Sequence, residues 1–279
     1  MKSRNISALF VIVLALLVVT NLFAQTKTVV TLGGSWWNAQ YSWEDESGKK
    51  LADIGAGNSV GPYISISHGK LNFGASLFFG TFPVNELGLG DSGSDVSPDW
   101  SMSRGDLNFT VGYRVHQYIN LFVGAKYINW TIEGTVNTTY PVLIGYDEFG
   151  YPVYDQQTET IDANLSEGGM TFGAGISGVV PFGTSGLYGF ASLAYLGGTL
   201  QNETKISYAG TSQDSTYDVS AGLAAVNLGI GYRFSSGLGL NLGYRADLFA
   251  ENVDKAVSEG ESNPRIRVQG TILTVSYSF

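Results

Sequence analysis

The sequence predicts an all-β chain that folds as one transmembrane, antiparallel up-and-down β-barrel of ten strands. Three observations carry this reading. Apolar residues recur at every second position along most of the chain, the connections between those stretches alternate between long and short, and the acids collect in the long ones. Side chains alternate faces along a strand, so the first pattern gives each strand one apolar and one polar face. A membrane offers no water to unpaired backbone, so such strands must close on themselves.

The last ten residues are the clearest stretch. Leu273, Val275, Tyr277 and Phe279 alternate with Thr274, Ser276 and Ser278. An aromatic residue at the very end, with no polar tail, belongs at a rim. The chain has 279 residues, enough for one large β domain, with 37 Gly and 16 Tyr. Small residues and rings suit a strongly bent sheet with interfacial aromatics. There is no cysteine, which removes thiol catalysis and cysteine-based metal sites.

Residues 1–24 read as a signal peptide. Lys2 and Arg4 precede the apolar run Ile6 to Val19, and Leu22-Phe23-Ala24 precedes Gln25. Residues 25–279 are then the barrel, with five long loops. No later stretch reaches 18 continuous apolar residues, so no membrane helix is expected. Without Lys2 and Arg4, the Lys+Arg count falls from 15 to 13 against 24 Asp+Glu, a net charge of −11.

A first strand over about 27–43 carries Val29, Leu32, Trp36, Trp37 and Tyr41, with its register open. A second, about 57–67, sets Ile64 and Ile66 against Ser65 and Ser67; Pro62 fits it poorly, because proline cannot donate to a ladder. His68-Gly69-Lys70 turns into a third strand with Leu71, Phe73, Ala75, Leu77 and Phe79 on one face. The loop 83–99 follows. A fourth strand, about 100–115, sets Leu107 to Val115 against Arg104, Asp106 and Asn108. His116-Gln117-Tyr118 turns into a fifth, with Leu121, Val123, Ala125 and Tyr127 opposite Lys126.

The longest connection, 133–167, leads to a sixth strand with Met170, Phe172, Ala174 and Ile176 on one face. A seventh covers 187–200, and a polar loop runs on to about 217. The eighth and ninth, around Val226–Phe234 and Leu238–Leu248, are joined by Ser235-Ser236-Gly237; Arg245 and Asp247 lie on the polar face of the ninth. The loop 250–264 leads to the tenth. Gly-Tyr-Arg recurs at 112–114, 231–233 and 243–245, a weak sign of hairpin duplication. Eight or twelve strands are the alternatives, twelve arising if 133–167 adds two membrane strands.

The closing strand, the even strand number and the alternating connections resemble bacterial outer-membrane β-barrels. The resemblance implies periplasmic termini and short turns, extracellular long loops, and a belt of outer-membrane lipid. It also implies that barrel-assembly machinery, supplied by periplasmic chaperones, reads Leu273, Val275, Tyr277 and Phe279. The charges agree: 22 of the 24 acids fall in the five long loops or at their margins, Asp106 and Asp247 being the exceptions. Lys27, Lys70, Arg114 and Arg233 mark the other end.

Arg104, Asp106, Lys126, Arg245 and Asp247 are the candidate lumen residues. They share the upper half of the lumen, and two pairs are spaced i, i+2 on one face. Enclosed charges need partners, so the five form either a salt-bridged plug or a constriction that selects solutes by charge, with a catalytic cluster a third option. The 133–167 stretch reads as a hairpin turning near 147–150, with Tyr140, Tyr146, Phe149, Tyr151 and Tyr154 as candidate partner contacts. The acidic loops suit loosely bound Ca²⁺ or Mg²⁺, or serve solubility alone. No other cofactor, no built metal site and no nucleic-acid partner is expected.

The function expected first is a non-catalytic, narrow porin-like or structural barrel. The alternative is a surface adhesion or interaction barrel, and the third is an outer-face hydrolase. The omptin proteases resemble this chain in strand number. Their chemistry needs a His beside an Asp near the outer rim, yet His68 and His116 sit in the short turns and no Asp-x-His occurs.

Overall fold

The computed structural model describes residues 28–279 except 46–47, 49, 88–99, 147–148, 150, 209–210 and 253–263. The expected signal peptide at 1–24 lies outside the described residues, as do Asp91, Asp95, Asp99 and most of the 250–264 loop. Eleven strands follow in order: β1 Thr28–Glu44, β2 Lys50–Ile54, β3 Gly57–His68, β4 Leu71–Leu87, β5 Ser101–His116, β6 Ile119–Tyr146, β7 Pro152–Pro181, β8 Leu187–Tyr208, β9 Thr211–Arg233, β10 Leu238–Asn252 and β11 Arg265–Ser278. Each pairs antiparallel with its neighbours, and β11 pairs back onto β1. Both β2 and β3 lie between β1 and β4, so they form one interrupted stave. The barrel therefore has ten staves, and eight and twelve are excluded.

The seam fixes the face of every residue near it. Leu32 lies opposite Tyr277, Gly34 opposite Val275, and Trp36 opposite Leu273. These apolar side chains look outward and are exposed. The alternate positions look inward, where Thr31 meets Ser278 and Ser35 meets Thr274 through hydroxyl pairs of 2.9 Å. The Phe279 N–H donates to the Val30 carbonyl at 2.9 Å. The open register of the first strand is thereby settled: Trp36 faces out and Trp37 faces in, buried.

The outward face forms a continuous apolar belt. Tyr113, Tyr232 and Tyr277 ring it near the tight turns, and Trp36, Tyr127 and Tyr195 ring it toward the long hairpins, all exposed. Two such girdles are the mark of a membrane-spanning barrel. The tight turns use left-handed glycines where a side chain would be strained. Gly237 has φ 93°, and its N–H returns to the Phe234 carbonyl at 3.1 Å.

Two of the expected loops are strand. The 133–167 stretch continues β6 and β7, whose ladder runs unbroken from Ile119↔Gly178 to Leu143↔Tyr154 before a register shift. It turns near 147–150, as the hairpin reading of its sequence expects. The polar loop expected at 200–217 is likewise the extension of β8 and β9, paired out to Tyr208↔Thr211. Polar, Thr-rich strands in water need no apolar face, so alternation fails to mark them. Part of the polar connection after the first strand is strand too, as β2. Pro62 is accommodated by a gap: β3 and β4 pair at Val60↔Phe79 and next at Tyr63↔Ser76. Proline has no N–H to place in that gap.

A further correction concerns Glu167 and Glu251. Grouped with the loop acids in the sequence, they lie inside the barrel, 2% and 5% exposed.

If β11 closes the barrel, removing Tyr277–Phe279 deletes the last seam pairs and an apolar rim. The truncated chain should lose the compact, heat-modifiable form on unboiled gels, whereas a Phe279→Tyr chain should keep it.

Candidate functional site

The polar lumen positions of β5, β6 and β10 bring all five candidate charges into one cluster. Arg104 and Asp106 are two apart on β5, so they share a face; Arg245 and Asp247 do the same on β10. Arg104 grips Asp106 with two hydrogen bonds of 2.8 Å, from Nε and Nη2. Its Nη1 donates to the Tyr41 hydroxyl from β1, and Nη2 reaches Asp247 across the lumen at 3.4 Å. Lys126 from β6 bridges both acids, donating to Asp247 Oδ2 and lying 3.3 Å from Asp106. Arg245 holds Asp247 through Nη2 at 2.9 Å and Nε at 3.2 Å. Asp247 thus binds three cations and is fully buried, at 0% exposure.

Rings fix these cations in place. The Arg245 guanidinium lies 4.6 Å from the Trp37 ring centre and 5.0 Å from Phe78. Arg104 lies 5.4 Å from Tyr41 and 5.5 Å from Phe249. Desolvated cation–π contacts are worth up to about 2 kcal/mol each. Room for such side chains comes from small residues: a Cβ on Gly175 would sit 2.3 Å from the inward ring of Phe122.

Toward the long hairpins the lumen fills with apolar side chains. Trp37, Phe82, Met102, Ile132, Leu223 and Val268 are buried there as one core. Trp43 meets Trp130 edge to face at 5.4 Å, and Tyr41 meets Phe82 at 4.8 Å. Glu167 and Glu251 sit in this layer. Their carboxyls meet each other, and Trp130 donates to Glu167. One oxygen on each lacks a partner. Toward the tight turns the inward residues are mostly half-buried hydroxyls and amides, with Arg114 and Arg233 on the same parity at the rim. Ser67 donates to Asn72 at 2.8 Å, and Asn72 to Asn120 at 2.9 Å. A cavity of about 320 Å³ lies there against the cluster, lined by Ser76, Asn108, Ser192, Asn227 and Arg245.

The other candidates are dispersed. Tyr146, Phe149, Tyr151 and Tyr154 cluster at the tip of the β6–β7 hairpin, each more than half exposed. Tyr140 lies on β6, paired through its backbone with Gln157. Leu273, Val275 and Tyr277 form the outward face of β11. His68 meets Thr28 at 3.0 Å, and His116 meets Tyr118 edge to face at 5.5 Å, both at the tight-turn end. Among the described residues no group of three metal-ligating side chains exists.

Sequence reading missed Tyr41, Trp37, Phe249, Glu167 and Glu251 as lumen residues. The signal was parity. Glu251 stands four beyond Asp247, and Glu167 four before Thr171, the buried cross-strand partner of Lys126. Even spacing along an unbroken strand keeps a side chain on one face.

No protein-family model matches the chain, and no curated protein matches it in sequence. Among solved structures, the outer membrane protease OmpT from Escherichia coli aligns with a TM-score of 0.54 at 12% identity, covering 90% of this chain and 97% of that chain. The translocator domain of autotransporter NalP from Neisseria meningitidis gives 0.41 at 13% identity, covering 99% and 97%. Ail, the attachment invasion locus protein of Yersinia pestis, gives 0.33 at 9% identity, covering 90% and 99%. At such identities the OmpT likeness carries the fold and nothing finer.

Replacing Asp247 by Asn removes the one acid that Arg245 touches among the described residues and leaves Lys126 with Asp106 alone. Breaking a buried pair costs about 3–5 kcal/mol. The variant should unfold in urea well before the parent, while Asp155→Asn on the exposed hairpin should not change the midpoint. With ten closed staves, two aromatic girdles and a shared fold with OmpT, this chain has the fold of the bacterial outer-membrane β-barrels.

Proposed function

We propose that this barrel is closed to solutes and acts by contact, through the sheet that β6 to β9 raise beyond the membrane. The observation that carries this reading is the filled lumen. An ion cluster with every member bonded lies under a layer of buried rings. An open pore needs water at its constriction, and here salt bridges and indoles occupy that level. A barrel of ten strands is only slightly wider than the eight whose interior side chains fill it, so a dense lumen is physically natural.

The raised sheet supports the second half of the proposal. Beyond Trp130↔Glu167 the β6–β7 ladder runs on to Tyr146↔Pro152, about 50 Å along the strands. Up to Ile161↔Tyr208 it is braced by β8 and β9. Its tip exposes Leu143, Ile144, Tyr146, Phe149, Tyr151 and Tyr154 together. Contiguous exposed apolar side chains mark contact surfaces, and tyrosine is enriched in them. Asp155, Asp162, Glu203, Asp214 and Asp218 line the flanks, which favours a partner with basic or cation-bridged groups. Among these acids only Glu203 holds a cation in an ion pair, Lys205 at 2.8 Å, within the described residues.

We read the tight turns as periplasmic and the raised sheet as extracellular. Lys70, Arg114 and Arg233 at one end and the acids at the other support this. Cysteine at Ser212 should then react with an impermeant maleimide on intact cells, and cysteine at Ser236 should react only after lysis. The reverse pattern would overturn the orientation.

Two measurements address function. The purified chain in planar bilayers should give no stable conductance steps. Removing 138–158 should leave the heat-modifiable barrel intact while abolishing adhesion of expressing cells to a coated surface. Ohmic steps from the full chain would favour the porin reading instead.

A further inference from the structure

The ion cluster is not neutral. Among the described residues Arg104, Lys126 and Arg245 face only Asp106 and Asp247, so three cations meet two carboxylates. The excess charge has a definite place. Arg104 spends Nε and Nη2 on Asp106 and Nη1 on Tyr41. Lys126 lies between both acids, and each of these two side chains is 3% exposed. Arg245 is at the edge of the cluster. Its side chain is 13% exposed, and Asp247 is the one acid it touches among the described residues. Nε and one N–H of Nη2 are taken, which leaves the end-on edge formed by Nη1 and the second N–H of Nη2. The buried Glu167 and Glu251 give no local relief. They stand four residues farther along their strands, about 13 Å away, on the far side of Phe249.

Arg245 lines the 320 Å³ cavity, as do Lys126 and Asp247, whose carboxylate the three cations already hold. Asn227 is the direct cross-strand partner of Arg245, and Ser192 that of Asn227, so all three share one inward face. Asn227 is held with its Oδ1 buried and unpartnered. Rotating the amide by 180° exchanges that acceptor for two N–H donors, so the group is free to serve a ligand. Ser76 and Asn108 stand on the wall formed by β4 and β5, hydrogen-bonded to each other at 3.2 Å. Stacking on Trp37 and Phe78 holds the guanidinium still, so little ordering is needed when an anion docks.

We propose that this cavity is a binding site for a small oxyanion, with Arg245 as its charge partner and Asn227 and Ser192 as its hydrogen-bonding wall. A planar guanidinium edge suits the paired oxygens of a carboxylate or phosphate better than a spherical halide. The enclosing lumen limits the ligand to a small molecule or the terminal group of a longer one. The site lies on the tight-turn side of the plug, and binding there needs no open pore. An occupying anion completes the charge balance that the five side chains leave unfinished.

The test is a titration of the full-length, isotope-labelled barrel in uncharged detergent micelles, followed by NMR. Inorganic phosphate and acetate are the probes, with chloride at matched ionic strength as the control. Saturable shifts of the Asn227 side-chain amide and the Arg245 Nε–H are expected with phosphate or acetate, and the tighter of the two names the preferred oxyanion. Asn227→Asp supplies the missing carboxylate at almost unchanged shape. It should weaken oxyanion binding at least tenfold and raise the urea midpoint of the ligand-free barrel. Ser192→Asp puts a carboxylate on the same wall from the next strand and decides the matter should the first variant not assemble. The proposal is overturned if chloride gives the same shifts, if neither probe saturates, or if both variants bind phosphate as well as the parent.

Discussion

Asp247 is the point on which the interior depends. It lies at 0% exposure on a strand of a membrane barrel, where an isolated carboxylate would be untenable. Three cations from three strands converge on it, two of them from the far side of the lumen. Those cations in turn need rings to pack against and a second acid to share. The choice of Trp37, Tyr41, Phe78 and Phe249 on the inward faces follows from that need as much as from filling space. One buried charge thus dictates residues on β1, β4, β5, β6 and β10.

The barrel is layered as a result. Hydroxyls and amides line the lumen near the tight turns, the ion cluster crosses it, and an apolar core sits above. The upper core is unusual for a lumen, because it reproduces the inside of a soluble β domain within a membrane wall. Both faces of the upper strands are then apolar, and the same strands lose their apolar outward face only where they leave the membrane. In the proposed function, the bonded cluster and closed wall form the body that carries the raised sheet. Above it stands the braced sheet, which carries the exposed tyrosines.

Much of this was legible in the chain. Strict alternation in β5, the first half of β6, β9, β10 and β11 fixes their faces, and places Arg104, Asp106, Lys126, Arg245 and Asp247 in the lumen together. The tight turns were visible in His68-Gly69-Lys70 and Ser235-Ser236-Gly237. Less was legible where two neighbours were both apolar. Trp36 and Trp37 satisfy either register, and only pairing with Leu273 and Ile272 across the seam assigns them. The long hairpins were hidden for the opposite reason. Thr135 to Thr139 and Thr211 to Thr216 pair in water, where neither face is apolar. Glu167 and Glu251 were misplaced because acids suggest solvent, and the carboxyl that each meets inside the barrel is the other, some 84 residues distant in sequence. Which inward side chains meet across a lumen depends on the stagger of the staves, and the stagger is a property of the closed sheet.

In the proposed barrel the lumen is accessible below the ion cluster and sealed above it. Cysteine accessibility in the folded barrel tests this most directly. Ser192 lines the cavity, whereas Thr171 is 0% exposed beside Lys126, its hydroxyl bonded to the Lys126 carbonyl at 3.2 Å. A small, charged thiosulfonate reagent should modify Ser192→Cys within minutes and leave Thr171→Cys untouched until the barrel is unfolded. Rapid modification of both in the folded state would contradict the seal and reopen the lumen as a path for solutes.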